Sequence, residues 1–498
     1  MNHDVTIVIP TIGRESLQRL ITGLDRSDGP RPARVIVVDD RPGGHTLTLQ
    51  SDLPVKVLES GGRGPAAARN VGWRASDTPW VCFLDDDVLP TAPWLSALDQ
   101  DLAAADAVGA AGSQGRLDVP RETTGRPTDD EQRTLRLATA QWITADMAFR
   151  RDVLVQVGGF DQRFPRAYRE DSDIALRMTA AGHHILRGSR RCLHPVARAT
   201  WRTSLRVQIG NRDNALMRRK FGATWRDRIG EGRGRLPAHA ASTVVLAAAA
   251  LAAVTGRRRV AAGAGVAWTG LTADFAARRH LAGSRTVGEL GPIVATSALI
   301  PPLAVWHRVV GAWQHRHART DPPLAVLFDR DDTLIADGPY LNDPRGVHPV
   351  PGARRALDRL RRRGLLLAVV TNQSGVARGL ITTEQLGEVN AEVVGQLGAF
   401  DEWQVCLHGE DDGCACRKPA PGMVIAAAAA LGVPPARCVM IGDTGSDVGA
   451  ALAAGARAIL VPTDRTLTPE IEAAQADPRA AVAATLTAAV DMVLQEAR

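Results

Sequence analysis

The sequence predicts two α/β domains joined by a helical segment rich in alanine and arginine. Over residues 1 to 205, short β-branched runs alternate with helical stretches, as a parallel sheet flanked by helices requires. The same alternation returns from residue 321 to the end. Between them, from 206 to 320, small apolar and basic residues replace it. A chain of 498 residues has room for about two to four domains of ~150 residues each.

The expected strands of the first domain are Val5 to Ile9, Arg34 to Val38, Val55 to Leu58 and Val81 to Leu84, with helical periodicity from Glu15 to Leu24. Those of the last are Ala325 to Phe328, Leu366 to Val370, Cys438 to Ile441 and Ala458 to Val461, with a helix over Gly352 to Arg363. Charged residues at 23% and hydrophobic ones at 45% are globular values and exclude a disordered or collagen-like chain. Aromatics at 4%, with Tyr168 and Tyr340 the only tyrosines, argue against stacking platforms for nucleic acid. The net charge of +6 is almost all arginine, clustered beside apolar helices without a nucleic-acid recognition motif. Lysine occurs only at 56, 220 and 418, so a lysine at a catalytic spacing stands out.

The middle segment opens with the basic run Arg212 to Phe221 and Trp225 to Arg228. Ala240 to Val254, the triplet Arg257-Arg258-Arg259, Val260 to Ala276 and Leu290 to Trp306 follow. The first two apolar stretches are at the short edge of a membrane span. They fit a hairpin or peripheral contact with an anionic leaflet, with a soluble helical connector as the alternative. The start, Met1-Asn-His-Asp before Val5 to Pro10, lacks a charged n-region and a long apolar core. The expectation is therefore a cytoplasmic protein, with the inner face of the plasma membrane as its place if the apolar helices bind lipid.

Asp85-Asp86-Asp87 follow a strand directly, where a parallel α/β sheet opens its ligand crevice. Like charges crowded there point to Mg²⁺ or Mn²⁺ on phosphate oxygens, or to a solvated acidic turn. Asp39 and Asp40 also end a strand, and Gly61-Gly62-Arg63-Gly64 with Arg69 and Asn70 supplies a flexible loop and a cation. Gly159-Phe160-Asp161 and Glu170-Asp171 come next, and His194 follows a further strand. In this order, the motifs resemble the family 2 glycosyltransferases of the GT-A fold across residues 4 to 200. The resemblance implies a nucleotide-sugar donor and a glycan or lipid-linked acceptor. It places the nucleoside on Asp39 or Asp40 and the Mg²⁺ or Mn²⁺ of the diphosphate on Asp85 and Asp87, with His194 either a metal ligand or a core histidine. Asp171 becomes the base that deprotonates the acceptor, and Glu170 the partner that orients it. Arg69 and Asn70 fit donor binding or the crevice wall.

In the last domain Asp329 and Asp331 end an apolar strand two residues apart. Thr371 ends the next, Lys418 follows Arg417, and Asp443 ends a third, with Asp447 four residues on as a further acid or a helix N-terminal charge. The order resembles the haloacid dehalogenase (HAD) phosphatases. The resemblance makes Asp329 the nucleophile that forms an aspartyl phosphate and Asp331 the acid and base. Thr371 and Lys418 then hold the phosphoryl oxygens, and Asp329, Asp331 and Asp443 hold Mg²⁺.

Cys406, His408, Cys414 and Cys416 lie within eleven residues, and thiolates with an imidazole in such tight spacing select a structural zinc. The loop runs straight into Arg417-Lys418-Pro419. Within the superfamily, Thr371 to Gly379 and Cys416 to Met423 are similar to the heptose 1,7-bisphosphate phosphatases, which share the zinc loop with the histidinol-phosphate phosphatases. Asn372, Ser374, Arg378 and Arg417 thereby become contacts for a sugar phosphate. One departure is Asp332, where the family carries glycine. An extra carboxylate there repels phosphate or alters the turn, which leaves a catalytically degenerate binding module as the third alternative.

Overall fold

The computed structural model describes residues 3–43, 47–121, 125–196, 200–336 and 340–497. Two compact units divide the chain. One comprises Met1–Leu154 and Phe160–Arg316, the other Val155–Gly159 and His317–Arg498.

The first unit is built on strands β1 (Val5–Thr11), β2 (Arg34–Asp39), β3 (Val55–Glu59), β4 (Trp80–Leu84), β5 (Leu89–Pro90), β6 (Gly112–Asp118), β7 (Asp146–Arg150) and β8 (Ile185–Leu193). They form one sheet in the order β3-β2-β1-β4-β7-β6-β8-β5. β1 lies parallel to both β2 and β4, while β7 runs antiparallel to β4 and to β6. Every residue of β1 and β4 is buried, which is why they read as continuous apolar runs rather than alternating ones. Helices cover both sides, and Leu17, Leu20, Ile21 and Leu24 of the helix Ser16–Asp25 face the core at helical spacing.

The helices of the middle segment belong to this unit by contact: Asn211–Phe221, Leu236–Val254, Arg258–Ala282 and Val287–Gln314. The last runs unbroken through Pro292, Pro301 and Pro302. Of the nineteen residues of Leu236–Val254, only Ser242 and Ala252 are buried.

The second unit is a six-stranded, wholly parallel sheet. Its strands are β9 (Ala325–Phe328), β12 (Leu366–Asn372), β13 (Glu402–Cys406), β14 (Cys438–Gly442), β15 (Arg457–Leu460) and β16 (Ala480–Val482), ordered β13-β12-β9-β14-β15-β16. β10 (Ile335–Ala336) and β11 (His348–Pro349) make a separate antiparallel pair. Two apolar clusters sandwich the sheet. Val326 and Phe328 of β9 point into one, Ala325 and Leu327 into the other. β9 is flanked by β12 on one side and β14 on the other, so a topological switch point opens at its carboxyl end. The observed strands meet the expected ones to within one or two residues at their ends.

Candidate active sites

In the second unit, Asp329 is the first residue after β9, and its backbone N–H donates to Ile441 O at 2.9 Å, which fixes it beside the mouth of β14. Lys418 Nζ donates to Asp329 Oδ1 at 2.7 Å, to Asp447 Oδ1 at 2.6 Å and to Val370 O at 2.9 Å. Its backbone is braced by Asn372, whose side chain accepts from Lys418 N at 3.1 Å and donates to Lys418 O at 3.2 Å. Asp447 thus does both things its position allowed. One oxygen receives Lys418, while the other accepts from Thr444 N and Thr444 Oγ1 and caps the helix Gly445–Ala453.

Carboxylate oxygens of Asp329, Asp443 and Asp447 lie within 4.8 Å of one another. The third carboxylate of this cluster therefore comes from Asp447 and not from Asp331. Asp331 instead accepts from Arg330 Nε at 2.7 Å and from Gln373 Nε2 at 2.7 Å, and Gln373 donates as well to Thr371 Oγ1 at 2.9 Å. Burial, with Asp447 and Asp331 nearby, pushes Asp329 up to about 8 against the pull of Lys418. Burial and Asp447 push Asp443 up to about 7. Burial works against the charge of Lys418, yet Asp329 and Asp447 hold it above the usual lysine range. A buried cluster of hard oxygens short of positive charge is what a small divalent cation satisfies.

The four cysteine and histidine donors also close up. Cys406 Sγ lies 3.7 Å from Cys414 Sγ and 3.4 Å from Cys416 Sγ, and Cys414 and Cys416 are 3.3 Å apart. His408 Nδ1 is 3.2 Å from Cys416 Sγ and 3.6 Å from Cys406 Sγ. A tetrahedral zinc with Zn–S of about 2.3 Å sets its sulfurs about 3.8 Å apart, so the donor set fits that ion. Glu410 of the same loop lies 3.2 Å from Arg378 and 3.3 Å from Arg417, and Arg378 donates to Tyr340 Oη at 2.7 Å. Ser374 is partly buried on the segment that follows β12.

In the first unit Asp39 and Asp40 lie at the carboxyl end of β2 and Asp85 to Asp87 just after β4, while Asp171 is on the helix Glu170–Ala180 and accepts from Ser172 N, and His194 follows β8. Arg69 is 1% exposed and bridges Asp85 at 2.7 Å and Glu170 at 3.0 Å. Asp86 accepts from Thr11 Oγ1 at 2.6 Å, and Arg14 reaches Asp86 and Asp87 at 2.8 and 2.7 Å. His194 Nε2 is 3.8 Å from Asp87, and its Nδ1 is 2.9 Å from Pro195 O. Asp39 accepts from Arg41 at 2.6–3.0 Å, whereas Asp40 accepts from the Arg63 and Gly64 N–H groups at 2.9 and 2.8 Å and braces that loop. Asn70, fully buried, is committed to Phe160 N, Phe160 O and Trp73 Nε1, the bracing alternative of its two readings. Burial, then Asp171, pushes Glu170 up to about 8 against Arg69, and burial raises Asp171 also.

Sequence reasoning missed Gln373, Arg330 and Arg169. Gln373 sits two residues beyond Thr371, the spacing that returns a side chain to the same face of a strand. Arg169 precedes Glu170 in the left-handed region (φ 79°) and is held by Glu231 at 2.6 and 2.8 Å and by Asn214 at 3.0 Å. No motif marks that pairing across sixty residues.

The C-terminal sheet and cradle define a HAD-type hydrolase, and the N-terminal sheet with its acidic strand ends a glycosyltransferase. A glycosyl transferase family 2 model matches residues 6–161, and a HAD-hydrolase-like model matches residues 415–489. The D-glycero-β-D-manno-heptose-1,7-bisphosphate 7-phosphatase of Pseudomonas putida is 39% identical over 150 residues, 28% of this chain and 86% of that protein. Its namesake from Vibrio cholerae is 36% identical over 161 residues, 30% of this chain and 87% of that protein. The crystal structure of D,D-heptose 1,7-bisphosphate phosphatase from B. bronchiseptica, complexed with magnesium and phosphate, is similar at 32% identity. It covers 34% of this chain and 99% of that one, with a TM-score of 0.32. Through its C-terminal unit the chain belongs to the family of these heptose bisphosphate phosphatases, joined here to a family 2 glycosyltransferase domain.

Proposed function

We propose that the C-terminal unit removes the 7-phosphate of D-glycero-β-D-manno-heptose 1,7-bisphosphate, while the N-terminal unit transfers a sugar from a nucleotide-sugar donor to a glycan or lipid-linked acceptor. The observation that carries the phosphatase reading is the buried Lys418 ammonium between Asp329 and Asp447 at the switch point of a parallel sheet. Asp329 attacks phosphorus, forming an aspartyl phosphate, and Asp331 gives its proton to the departing sugar oxygen. Asp331 then takes a proton from the water that cleaves the acyl phosphate. Gln373 links Asp331 to Thr371, so acid and phosphoryl-binding hydroxyl keep a common register. Lys418 and Thr371 stabilise the phosphoryl oxygens, and Asn372 holds the Lys418 backbone in place.

Asp329 and Asp443, with Asp447 close by, are the residues that would hold Mg²⁺, which neutralises charge on the transferring group. Cys406, His408, Cys414 and Cys416 would hold zinc and anchor the segment that delivers Lys418. Arg378, Arg417 and Ser374 would meet the rest of the sugar phosphate. In the transferase, Asp171 is the base, Asp39 and Asp40 lie on the nucleoside side, and Asp85, Asp87 and His194 on the Mg²⁺ or Mn²⁺ side.

Phosphate release with Mg²⁺ from the bisphosphate, from heptose 1-phosphate and from histidinol phosphate tests this, with Asp329→Asn as control. Rapid Asp329-dependent loss of one phosphate from the bisphosphate supports the reading. A preference for histidinol phosphate replaces it with the alternative substrate, and no release from any supports the degenerate module.

We propose that the apolar helices make a peripheral or hairpin contact with the inner leaflet of the plasma membrane, with a soluble helical connector as the alternative. What supports this is inverted polarity: Val244, Leu251, Val254, Val266, Val287, Trp306 and Trp313 are exposed, while Arg279 turns inward to Thr296 and Ser297 at 2.8 and 3.0 Å. Leu236–Val254 and Val287–Gln314 are long and apolar enough to cross a bilayer by length and composition, so the second candidate is the third apolar stretch and not Val260 to Ala276. Flotation with anionic and with zwitterionic vesicles decides it. A protein that stays at the bottom of both gradients overturns the membrane reading.

A further inference from the structure

We propose that Asn390 is a positioning residue for the acid and base of the phosphatase site, acting through Arg330 to hold the Asp331 carboxyl at the departing oxygen. The proposal rests on the phosphatase reading of that site and adds a residue from a helix that carries none of its motifs. Asn390 lies on the helix Thr383–Leu397, whose buried residues Leu386, Val389, Val393 and Leu397 make one apolar stripe. Position 390 is four residues after Leu386 and three before Val393, so it falls within that stripe, and it is partly buried. A polar side chain there costs stability unless its hydrogen-bonding groups are met. Asn390 Oδ1 is met by a cation, accepting from Arg330 Nη1 at 2.9 Å.

Arg330 is 1% exposed, so its N–H groups need partners within the protein. Nε and Nη2, on one edge of the guanidinium, donate to Asp331 Oδ1 and Oδ2 at 2.7 and 3.1 Å. Nη1, on the opposite edge, is the group that Asn390 receives from sixty residues along the chain. The fork is planar, so fixing one edge fixes the direction of the other. The main chain is held too, because Arg330 O accepts from Leu334 N and Ile335 N at 2.9 and 3.1 Å. Asp331 Oδ2 accepts also from Gln373 Nε2, which donates to Thr371 Oγ1, so the carboxyl is held on the side of the phosphoryl-binding hydroxyl. Its side chain is 23% exposed, open to the water it must activate. A positioned acid contributes ~10²–10⁴-fold to a proton transfer, and a guanidinium released on one edge gives up a share of that. Asn390 itself touches none of the reacting atoms.

Phosphate release by the full-length protein with Mg²⁺, from the heptose 1,7-bisphosphate and from 4-nitrophenyl phosphate, separates this role from a structural one. A sugar alkoxide leaves only with a proton, whereas 4-nitrophenolate leaves without one, and kcat/KM reports the steps up to that departure. Asn390→Leu keeps the stripe apolar and removes the acceptor. It should lower kcat/KM for the bisphosphate by on the order of tenfold and change that for the aryl ester by less than about twofold. Retained turnover of the aryl ester shows in the same protein that the site is folded. Asn390→Asp keeps an acceptor for Arg330 and should stay within about threefold of wild type on both substrates. In an Asp331→Asn background Asn390→Leu should be nearly silent, because a positioning residue acts only through the group it positions. Equal losses on the two substrates, or a loss additive with Asp331→Asn, overturn the proposal. An Asn390→Leu protein with the wild-type rate on the bisphosphate overturns it as well. Wild-type protein that releases phosphate from neither substrate sinks the phosphatase reading itself, a result distinct from all of these.

Discussion

Lys220 and Lys418 are two of the three lysines in the chain, and in each the ammonium is buried between two aspartates. Lys220, on the helix Asn211–Phe221, meets Asp161 at 2.6 Å and Asp173 of the helix Glu170–Ala180. Asp161 and Asp173 are 7% and 0% exposed, and the rings of Phe164 and Phe221 lie beside the charge. Lys418 sits instead where three parallel strands end. Asp329 beside it is 13% exposed, and Asp331 and Asp332 at the rim are 23% and 19% exposed. One trio is a sealed clasp between helices, the other an open cradle. The scarcity of lysine marks both positions as constrained. Only the surroundings separate a constraint on folding from a constraint on chemistry.

The largest effect comes from the cradle. Asp329→Asn removes the proposed nucleophile and should lower phosphate release by ~10⁴-fold or more, with the thermal transition of the C-terminal unit kept. Lys418→Met should cost ~10²–10³-fold in kcat, the range for losing a preorganised donor to the developing charge. Steady-state phosphate release checks both. Activity within tenfold of wild type in Asp329→Asn would show that the cradle is not the reacting site.

Lys220→Met should leave phosphate release untouched and instead destabilise the first unit by ~1–3 kcal/mol, because two buried carboxylates each lose one of two cations and keep Arg163 and Arg177. Hydrogen exchange in Asn211–Phe221 measures this. Its pH dependence has a definite sign. Burial opposes ionisation of Asp161, yet Arg163 and Lys220 hold it well below the usual carboxylate range. A lowered pKa in the fold gives stability that is present above the ordinary value of ~3.9 and lost as pH falls toward the folded one. The gap between wild type and Lys220→Met should therefore be widest near neutral pH and shrink below about pH 4. A gap independent of pH would show that the clasp is not held by charge.

How far the sequence carried these distinctions depended on whether a residue acts locally. β1, β2, β4, β9, β12 and β14 were legible because they are buried on both faces and so read as apolar runs. β6 was not, since Gly112–Asp118 mixes polar and apolar residues without a clean period, and β8, Ile185–Leu193, for the same reason showed only as a short strand before His194. Asp329 and Asp443 were legible because each follows a strand, and Lys418 because it is one of three lysines in the chain. The direction of Asp331 toward Arg330 and Gln373 was not, since it depends on a partner contributed by β12's continuation. Lys220 lay in plain view in a basic run, and its role was hidden because Asp161 and Asp173 come from elements some fifty residues earlier.

The cysteine–histidine loop sharpens the comparison from the side of Lys418, which follows Cys416 by two residues. Cys416→Ser should remove one bound zinc per chain by mass spectrometry and lower phosphate release by ~10–100-fold. A full zinc complement in the variant would exclude Cys416 as a ligand. Intact activity without zinc would show that Asn372 alone, through its two bonds to the Lys418 backbone, holds the lysine in place.

The smallest effect tests whether the helices beyond residue 205 shape the transferase site as firmly as Lys220 clasps it. Arg169 immediately precedes Glu170 and Asp171, in a backbone conformation that costs energy unless its surroundings impose it. What imposes it comes from further along the chain. Glu231 takes both guanidinium nitrogens, Asn214 takes Nε, and the rings of Tyr168 and Trp225 lie 4.5 and 4.8 Å from the guanidinium carbon. Glu231 is 41% exposed, so solvent screening limits the pair to ~1 kcal/mol. Glu231→Gln should lower the stability of the first unit by that amount. Arg169→Gly loses the clamp but frees the backbone, so the two effects offset in part. In a double-mutant cycle followed by thermal unfolding, Arg169→Gly should make Glu231→Gln nearly silent, a coupling of ~1 kcal/mol. Additive effects would mean that Glu231 stabilises its own segment and that the turn before Asp171 is set by β-sheet contacts alone. Coupled effects would mean that the segment after the family 2 match is part of the transferase, reaching the helix Glu170–Ala180 through one strained arginine.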